Sequence, residues 1–294
     1  MANNNSNIKK GIIIKSIGGL YTVESPDGIY ICKARGIFRK TGEVPFVGDT
    51  VEIQENVIVK LERRKNCIIR PPLANLDQLV FVVSMCDPSP NYMILDKFIA
   101  ISEYKNIKPI IVLTKTDLED TKKFLDVYTK VDIEILKIDY DNKNTIINLK
   151  SKLINKKSAF TGNSGVGKST LLNEIDSRFE IATSEISKKL GRGKHTTRHV
   201  ELYKIEENSY IADTPGFSTF ETNKYDIIKK EELDKCFIEF KDYLDKCYFK
   251  DCSHTKEKKC AVLQAVEDNH ISRSRHESYC QMYEEAKLIK EWEL

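Results

Sequence analysis

No stretch of this 294-residue chain approaches the ~20 consecutive apolar residues that a membrane-crossing helix needs. The longest apolar runs, such as Leu79 to Val83 and Ile110 to Leu113, are far shorter, and the opening MANNNSNIKK lacks the apolar core of a secretory leader. A cytoplasmic protein with no membrane partner is expected. Cysteine is also scarce. Eight thiols are too few for a disulfide scaffold in a chain of this length, and a reducing compartment would keep them free. Cys32, Cys67, Cys86, Cys236 and Cys280 stand isolated, each read as a small hydrophobe. An excess of one charge is missing as well, since 47 Lys and Arg against 44 Asp and Glu leave only +3. The distribution is uneven, however. Residues 1–70 hold 12 basic against 7 acidic side chains and the rest 35 against 37, which hints at a polyanion facing the N-terminal part. A merely solvated lysine-rich surface would give the same numbers. Internal repeats are absent, and the length implies two or three compact units.

The first segment reads as short strands at Gly11 to Ser16, Leu20 to Glu24, Ile29 to Ala34, Thr50 to Gln54 and Val57 to Leu61. They are separated by the turn residues Gly18-Gly19, Pro26-Asp27-Gly28 and Gly48-Asp49. Five strands in so short a span predict a small closed barrel of the oligonucleotide-binding (OB) type, with an SH3-like barrel fitting the same pattern. Arg70-Pro71-Pro72 breaks the rhythm and marks a boundary.

Strands and helices then alternate. Strands are expected at Leu79 to Ser84, Pro109 to Leu113 and Ile133 to Ile138, and helices at Tyr92 to Lys105, Leu118 to Lys130 and Thr145 to Ile154. A strand, a glycine-rich loop and a helix follow over Ser158 to Ile175, and a short strand lies at Ser209 to Ala212. Repeated βα units predict a mostly parallel sheet with ligands at the carboxyl ends of its strands. After Phe220 the pattern turns helical, with Leu233, Phe237, Phe240 and Leu244 on one face, and the last stretch from Asn269 reads as a terminal helix. Three domains are expected: 1–70, a barrel; 71–221, an α/β nucleotide-binding domain; and 222–294, a mainly helical metal-binding domain.

The loop Gly162-Asn163-Ser164-Gly165-Val166-Gly167-Lys168-Ser169, followed by Thr170, is a phosphate-binding P-loop. Its glycines let backbone N–H groups curl around a β-phosphate, Lys168 reaches the β and γ oxygens, and Ser169 offers a hydroxyl to Mg²⁺ at a helix N-terminus. Thr114-Lys115-Thr116-Asp117 supplies the base reader. Asp117 can accept two hydrogen bonds from the N1 and N2 donors of guanine, a pattern adenine lacks, while the Lys115 stem lies along the base. That selects GTP and disfavours a P-loop ATPase or small-molecule kinase. Taken alone, the quartet is also compatible with an ordinary helix N-cap. Thr114 stands where many GTPases carry asparagine, which weakens the expected bond to purine N7, and no residue around Ile138-Asp139-Tyr140 is assignable to guanine O6. Asp213-Thr214-Pro215-Gly216 is the third element: Asp213 holds Mg²⁺ through water and the Gly216 N–H reaches the γ-phosphate.

Between these lies KKLGRGKHTTRH, Lys188 to His199, with seven basic or imidazole side chains and two mobile glycines. It reads as a switch in which Thr196 or Thr197 closes on Mg²⁺ only while the γ-phosphate is present. Phe217 occupies the place where Ras-like enzymes put a water-positioning glutamine. Phenylalanine cannot orient water, so a weak intrinsic rate is expected, with His195 the candidate to position or deprotonate the nucleophile. The alternative for His195 is a solvated residue or an RNA contact.

Cys247, Cys252, His254 and Cys260 place three thiols and an imidazole within fourteen residues. That set suits a tetrahedral, structural Zn²⁺ with no open position, against the plainer reading of reduced, unmetallated cysteines.

The quartet precedes the P-loop, the reverse of the usual GTPase order. With that order, with Arg35-Gly36-Ile37-Phe38-Arg39 and Val47-Gly48-Asp49 before it, with Arg70-Pro71 and Asn75-Leu76-Asp77-Gln78 at the boundary and with Cys247 to Cys260 after it, the chain resembles the circularly permuted, small-ribosomal-subunit-dependent GTPases of the RsgA family along nearly its whole length. The resemblance implies an OB barrel, a permuted GTPase and a zinc domain whose ligands are Cys247, Cys252, His254 and Cys260. It also implies late maturation of the small subunit through contact with its rRNA, with GTP hydrolysed to GDP on the ribosomal particle. A monomer is expected. A competing function is a nucleotide-gated RNA-binding module in which hydrolysis is incidental. Arg35, Arg39, Lys40, Arg63 and Arg64 are the candidate phosphate contacts of the barrel.

Overall fold

The structure is a computed structural model that describes residues 8–179, 200–214 and 227–289. Two compact units share the chain: one comprises residues 1–78, 150–161 and 169–217, the other 79–149, 162–168 and 218–294.

In the first unit, β1 (Lys9–Ile17), β2 (Leu20–Ser25), β3 (Gly28–Ala34), β4 (Thr50–Gln54) and β5 (Val57–Leu61) close a barrel in the order β1-β2-β3-β5-β4. A short helix, α1 (Ile37–Thr41), that the strand pattern did not announce follows β3. β1 pairs antiparallel with both β2 and β4, and β3 runs parallel to β5. This five-stranded Greek-key closure is the OB arrangement and decides against the SH3-like alternative. Alternation of inward residues fills the barrel: Ile13, Val23, Cys32, Val51, Ile53 and Ile58 are buried. Gly48 has φ +94, and a Cβ there would meet the Ala74 carbonyl oxygen at 2.1 Å, so only glycine fits where the chain passes the short β6–β7 pair (Cys67–Ile68, Leu73–Ala74). Arg64 is committed to structure. Its guanidinium donates to both oxygens of buried Asp49, each at 2.7 Å, and to the Val44 carbonyl, so this half-buried side chain is occupied by the barrel's own residues, whereas Arg35, Lys40 and Arg63 are exposed.

The second sheet has six strands, β8 (Gln78–Ser84), β9 (Lys108–Thr114), β10 (Glu134–Lys137), β11 (Lys157–Thr161), β12 (Leu202–Glu206) and β13 (Ser209–Asp213), in the order β10-β9-β8-β11-β13-β12. β9 and β10 are parallel, as are β11 and β13, while β12 returns antiparallel on the edge. The helices are α2 (Tyr92–Tyr104), α3 (Lys122–Tyr128), α4 (Lys143–Leu153) and α5 (Lys168–Ile175). α3 is shorter than the Leu118-to-Lys130 periodicity predicts; Leu118 is solvent-exposed and has no core to hold it in a helix.

The 227–260 segment departs from the expected helix. It forms separate 3₁₀ turns at Asp234–Cys236, Ile238–Phe240 and Leu244–Lys246, with Phe237 extended between the first two. The stripe is still buried, since Leu233, Phe237 and Phe240 pack with Tyr279 and Met282 in one core, but three residues per turn serve that spacing as well as 3.6. Two α-helices close the unit, α6 (Ala261–Glu267) and α7 (Arg273–Lys287).

α7 is anchored to α2 by charge. Arg275, wholly buried, donates to Asp96 of α2 at 2.8 Å and forks Glu239 at 2.7 and 2.9 Å, while the Tyr128 hydroxyl donates to Asp96 at 2.8 Å. Burial works against the Arg275 charge, yet Glu239 and Asp96 outweigh it and hold its pKa above the ordinary arginine value. Removing one member of such a network leaves the others charged and dry. Arg275→Met is therefore expected to cost about 3–5 kcal/mol of stability, read as a lower denaturant midpoint; a loss under about 1 kcal/mol would show that the carboxylates find water or a proton instead.

Candidate nucleotide site and metal cluster

The P-loop connects β11 to α5, and its shape demands its glycines. A Cβ on Gly162 would lie 2.6 Å from the Val82 carbonyl oxygen of β8, and Gly165 and Gly167 have φ of +83 and +85. A side chain at any of the three would clash or strain the turn. Lys168 is the first residue of α5 and half-buried, while Ser169 and Thr170 next to it are exposed.

The Thr114–Asp117 quartet lies in the same unit as residues 162–168 and touches them directly. Thr114 ends β9 buried, and its hydroxyl donates to the Val166 carbonyl at 2.6 Å. The two motifs, 52 residues apart and in inverted order, thus meet as the sequence requires. Threonine at 114 has a structural task not visible in the sequence, because its hydroxyl ties the quartet to the phosphate loop. Lys115 adopts φ +55 and its ammonium donates to the Asp87 carbonyl. Thr116 lies against the Ile138 carbonyl at 3.4 Å, and Asp117 is exposed. The loop after β10 is nearby: a Cβ on Gly167 would be 3.8 Å from both Thr114 Oγ1 and the Tyr140 hydroxyl.

Asp213 ends β13 in register with Phe160 of β11, and Thr214 fixes that end by donating its N–H and hydroxyl to the Phe160 carbonyl at 3.2 and 2.8 Å. The strand carrying Asp213 is thereby held beside the strand that feeds the P-loop. His195, Thr196, Thr197 and Gly216 lie outside the described residues.

The chain's similarity to known proteins matches this geometry. The profile of the RsgA GTPase family matches residues 61–223, and that of the RsgA N-terminal domain residues 10–58. The chain belongs to the RsgA GTPase family. It is a GTP-hydrolysing enzyme with the circularly permuted fold. A relative from Oceanobacillus iheyensis, named small ribosomal subunit biogenesis GTPase RsgA 2, is 42% identical over 292 residues, covering 96% of this chain and 98% of the relative. Among solved structures, YjeQ from Thermotoga maritima aligns with a TM-score of 0.80 at 33% identity over 96% of this chain and all of that one. YloQ, described as a circularly permuted GTPase, aligns at 0.78 with 32% identity over 99% of each chain.

The Cys/His group of this RsgA-family chain is assembled as expected. One donor atom each from Cys247, Cys252, His254 and Cys260 lies within 4.8 Å of the others, so the four could hold a metal ion. Cys247 Sγ is 3.8 Å from Cys260 Sγ and 3.5 Å from His254 Nδ1, which is 3.4 Å from Cys260 Sγ. The sulfurs also accept backbone N–H bonds, Cys247 from Ala261 at 3.3 Å and Cys260, the N-cap of α6, from Leu263 at 3.5 Å. Burial pushes the Cys252 thiol up to about 12. Burial would also raise Cys260, but the bonds from His254 and the Leu263 N–H prevail and bring it down to about 7. Burial opposes the imidazolium of His254, yet Asp234, Cys260 and Cys247 raise it to about 10. Of the three thiols only Cys260 is drawn toward the thiolate, by His254 beside it.

The supports of this cluster were not legible in the sequence. Asp234 stands 3.8 Å from the outer nitrogen of His254, the His276 ring meets the His254 carbonyl at 2.7 Å, and Tyr279 donates to the Ser253 carbonyl at 2.8 Å. The i, i+3 spacing of His276 and Tyr279 on a terminal helix was the available signal. Among the described residues no helix is long and apolar enough to cross a membrane.

Proposed function

We propose that this GTPase binds the small ribosomal subunit and acts in its late maturation, hydrolysing GTP to GDP with turnover stimulated by the particle. The observation that carries this reading is similarity over essentially full length to relatives named small ribosomal subunit biogenesis GTPases, in a chain that joins a closed OB barrel and a Cys/His cluster to its GTPase sheet. Neither addition is needed for GTP hydrolysis itself. The OB barrel is a common nucleic-acid platform, and the N-terminal charge excess suits rRNA.

In this reading the P-loop from Gly162 to Thr170 cradles the phosphates and Lys168 neutralises charge on the β and γ oxygens, while Asp117 selects guanine and Thr114, Lys115 and Thr116 place the base. Ser169 and Asp213, with Thr196 or Thr197, provide the oxygen ligands suited to Mg²⁺. When bound, Mg²⁺ supplies charge neutralisation between the β- and γ-phosphates. The Gly216 N–H senses the γ-phosphate, and His195 positions water in place of the absent glutamine. The Cys/His group would hold a single structural Zn²⁺, for which three thiolates and one imidazole are a suitable donor set; the 3.8, 3.5 and 3.4 Å separations among Cys247, His254 and Cys260 support this reading. The protein acts as a cytoplasmic monomer in three domains, 1–70, 71–221 and 222–294.

The test is GTP turnover with and without purified small subunits, across a salt series. Stimulation of at least about tenfold is expected, falling steeply as salt rises because phosphate contacts release counterions. Equal turnover in both conditions would overturn the proposal.

A further inference from the structure

The link between the first two cluster ligands carries an unusual surface. Tyr248 and Phe249, between Cys247 and Cys252, are 68% and 47% exposed. Large aromatics adjacent in sequence and both turned to solvent forgo the burial that would ordinarily stabilise them. Neither is loosely held. The Tyr248 N–H donates to the Lys259 carbonyl at 3.3 Å, the two rings meet edge to face at 5.0 Å, and the Lys259 ammonium lies 4.7 Å from the Tyr248 ring centre. The flanking Cys247 and Cys252 are fixed by the cluster, so the pair sits on a short loop pinned at both ends.

The charges nearest in sequence are mainly positive. Lys246, Lys250, Lys256, Lys258 and Lys259 are all exposed, against exposed Asp245 and Asp251. Glu257 is turned inward, bonded to Ser253 and to the backbone of Thr255 and Lys256. Exposed rings set among ammonium groups are the chemistry of a stacking platform for unpaired bases: each ring offers a π-face to any base while the lysines meet the flanking phosphates. A peptide groove would instead call for a concave apolar lining, and duplex RNA would not need rings at all.

The geometry points to a binding site for unpaired RNA bases on the Cys247–Cys252 loop, with Tyr248 and Phe249 as stacking residues. This rests on the small-subunit reading and specifies how one part of the protein would meet RNA: through single-stranded nucleotides, not duplex shape.

The test uses the full-length, metal-loaded protein and two fluorescent probes of equal length, a single-stranded hexauridylate and a six-base-pair RNA duplex, followed by anisotropy. Tyr248→Ala with Phe249→Ala is expected to weaken hexauridylate binding by about 5- to 150-fold for each base that stacks, with the duplex changed less than twofold. Tyr248→Leu with Phe249→Leu keeps the apolar bulk and removes the π-faces; it should behave like the alanine pair. Zinc content and particle-free GTP turnover at wild-type levels report that each variant is folded. Unchanged hexauridylate binding in both folded variants, or equal loss on both probes, would overturn the proposal, the former assigning the loop to a protein partner. Absence of subunit-stimulated turnover in the wild type, with the single-strand loss intact, would sink the ribosomal reading and support this one.

Discussion

Lys168→Ala is expected to hydrolyse GTP on the order of 100-fold more slowly than wild type, or worse, while keeping its fold. The P-loop conformation is set by Gly162, Gly165 and Gly167 and by the Thr114–Val166 bond, none of which involves the Lys168 side chain. In the proposed role, the substitution removes the loop's only full positive charge from the place where negative charge would gather on the transferring phosphoryl group, and backbone dipoles would not replace it. Single-turnover phosphate release at saturating GTP measures the effect, and far-UV circular dichroism with the melting temperature verifies the fold. A folded variant within about threefold of wild type would remove Lys168 from the chemistry, given the ~100-fold scale of such losses. The same variant separates the two functional readings. If hydrolysis times release from the particle, it should fail to support the cellular role, whereas a binding module with incidental hydrolysis would still support it.

The second large effect concerns the cluster. A structural zinc contributes on the order of 10 kcal/mol of folding free energy to the region that it organises, and residues 227–260 have only 3₁₀ turns to add to their Leu233–Phe237–Phe240 core and the Glu239–Arg275 pair. Cys260 is buried, meets both Cys247 and His254, and caps α6. Serine at this position would keep the cap but lose the thiolate. Cys260→Ser, or wild type treated with a strong chelator, should lose zinc and show collapse of amide-exchange protection across 227–289, with the barrel at 9–61 unchanged. Elemental analysis and hydrogen exchange give the answer. Full protection in demonstrably metal-free protein would refute a structural metal.

The barrel strands were legible because alternation and turn residues are local signals, and strands form close to where the sequence places them. The choice between barrel types was not legible, since it turns on whether Lys33 and Ala34 pair with Val57 and Ile58, a contact that no periodicity encodes. The metal donors could be named from residue type and spacing alone, but Asp234 behind His254 could not, because it comes from a separate turn. Similarly, the quartet and P-loop were identifiable as motifs, whereas the Thr114 hydroxyl on Val166 emerges only once the end of β9 and the loop at 162–168 are placed. The helical expectation for the C-terminal part holds in α6 and α7, whereas 227–260 forms 3₁₀ turns, because apolar spacing of three to four residues fits either a 3₁₀ turn or an α-helix.

The anchoring of α7 on α2 has a consequence for how the protein is made. Asp96 must wait for a counter-charge 179 residues downstream. At about 5–20 residues per second of translation, the interval is roughly 10–35 s. Through that interval the nascent α2 carries a carboxylate that its final packing would exclude from water. The barrel, whose pairings all fall between Lys9 and Leu61, faces no such delay and can close while the remainder is still being synthesised.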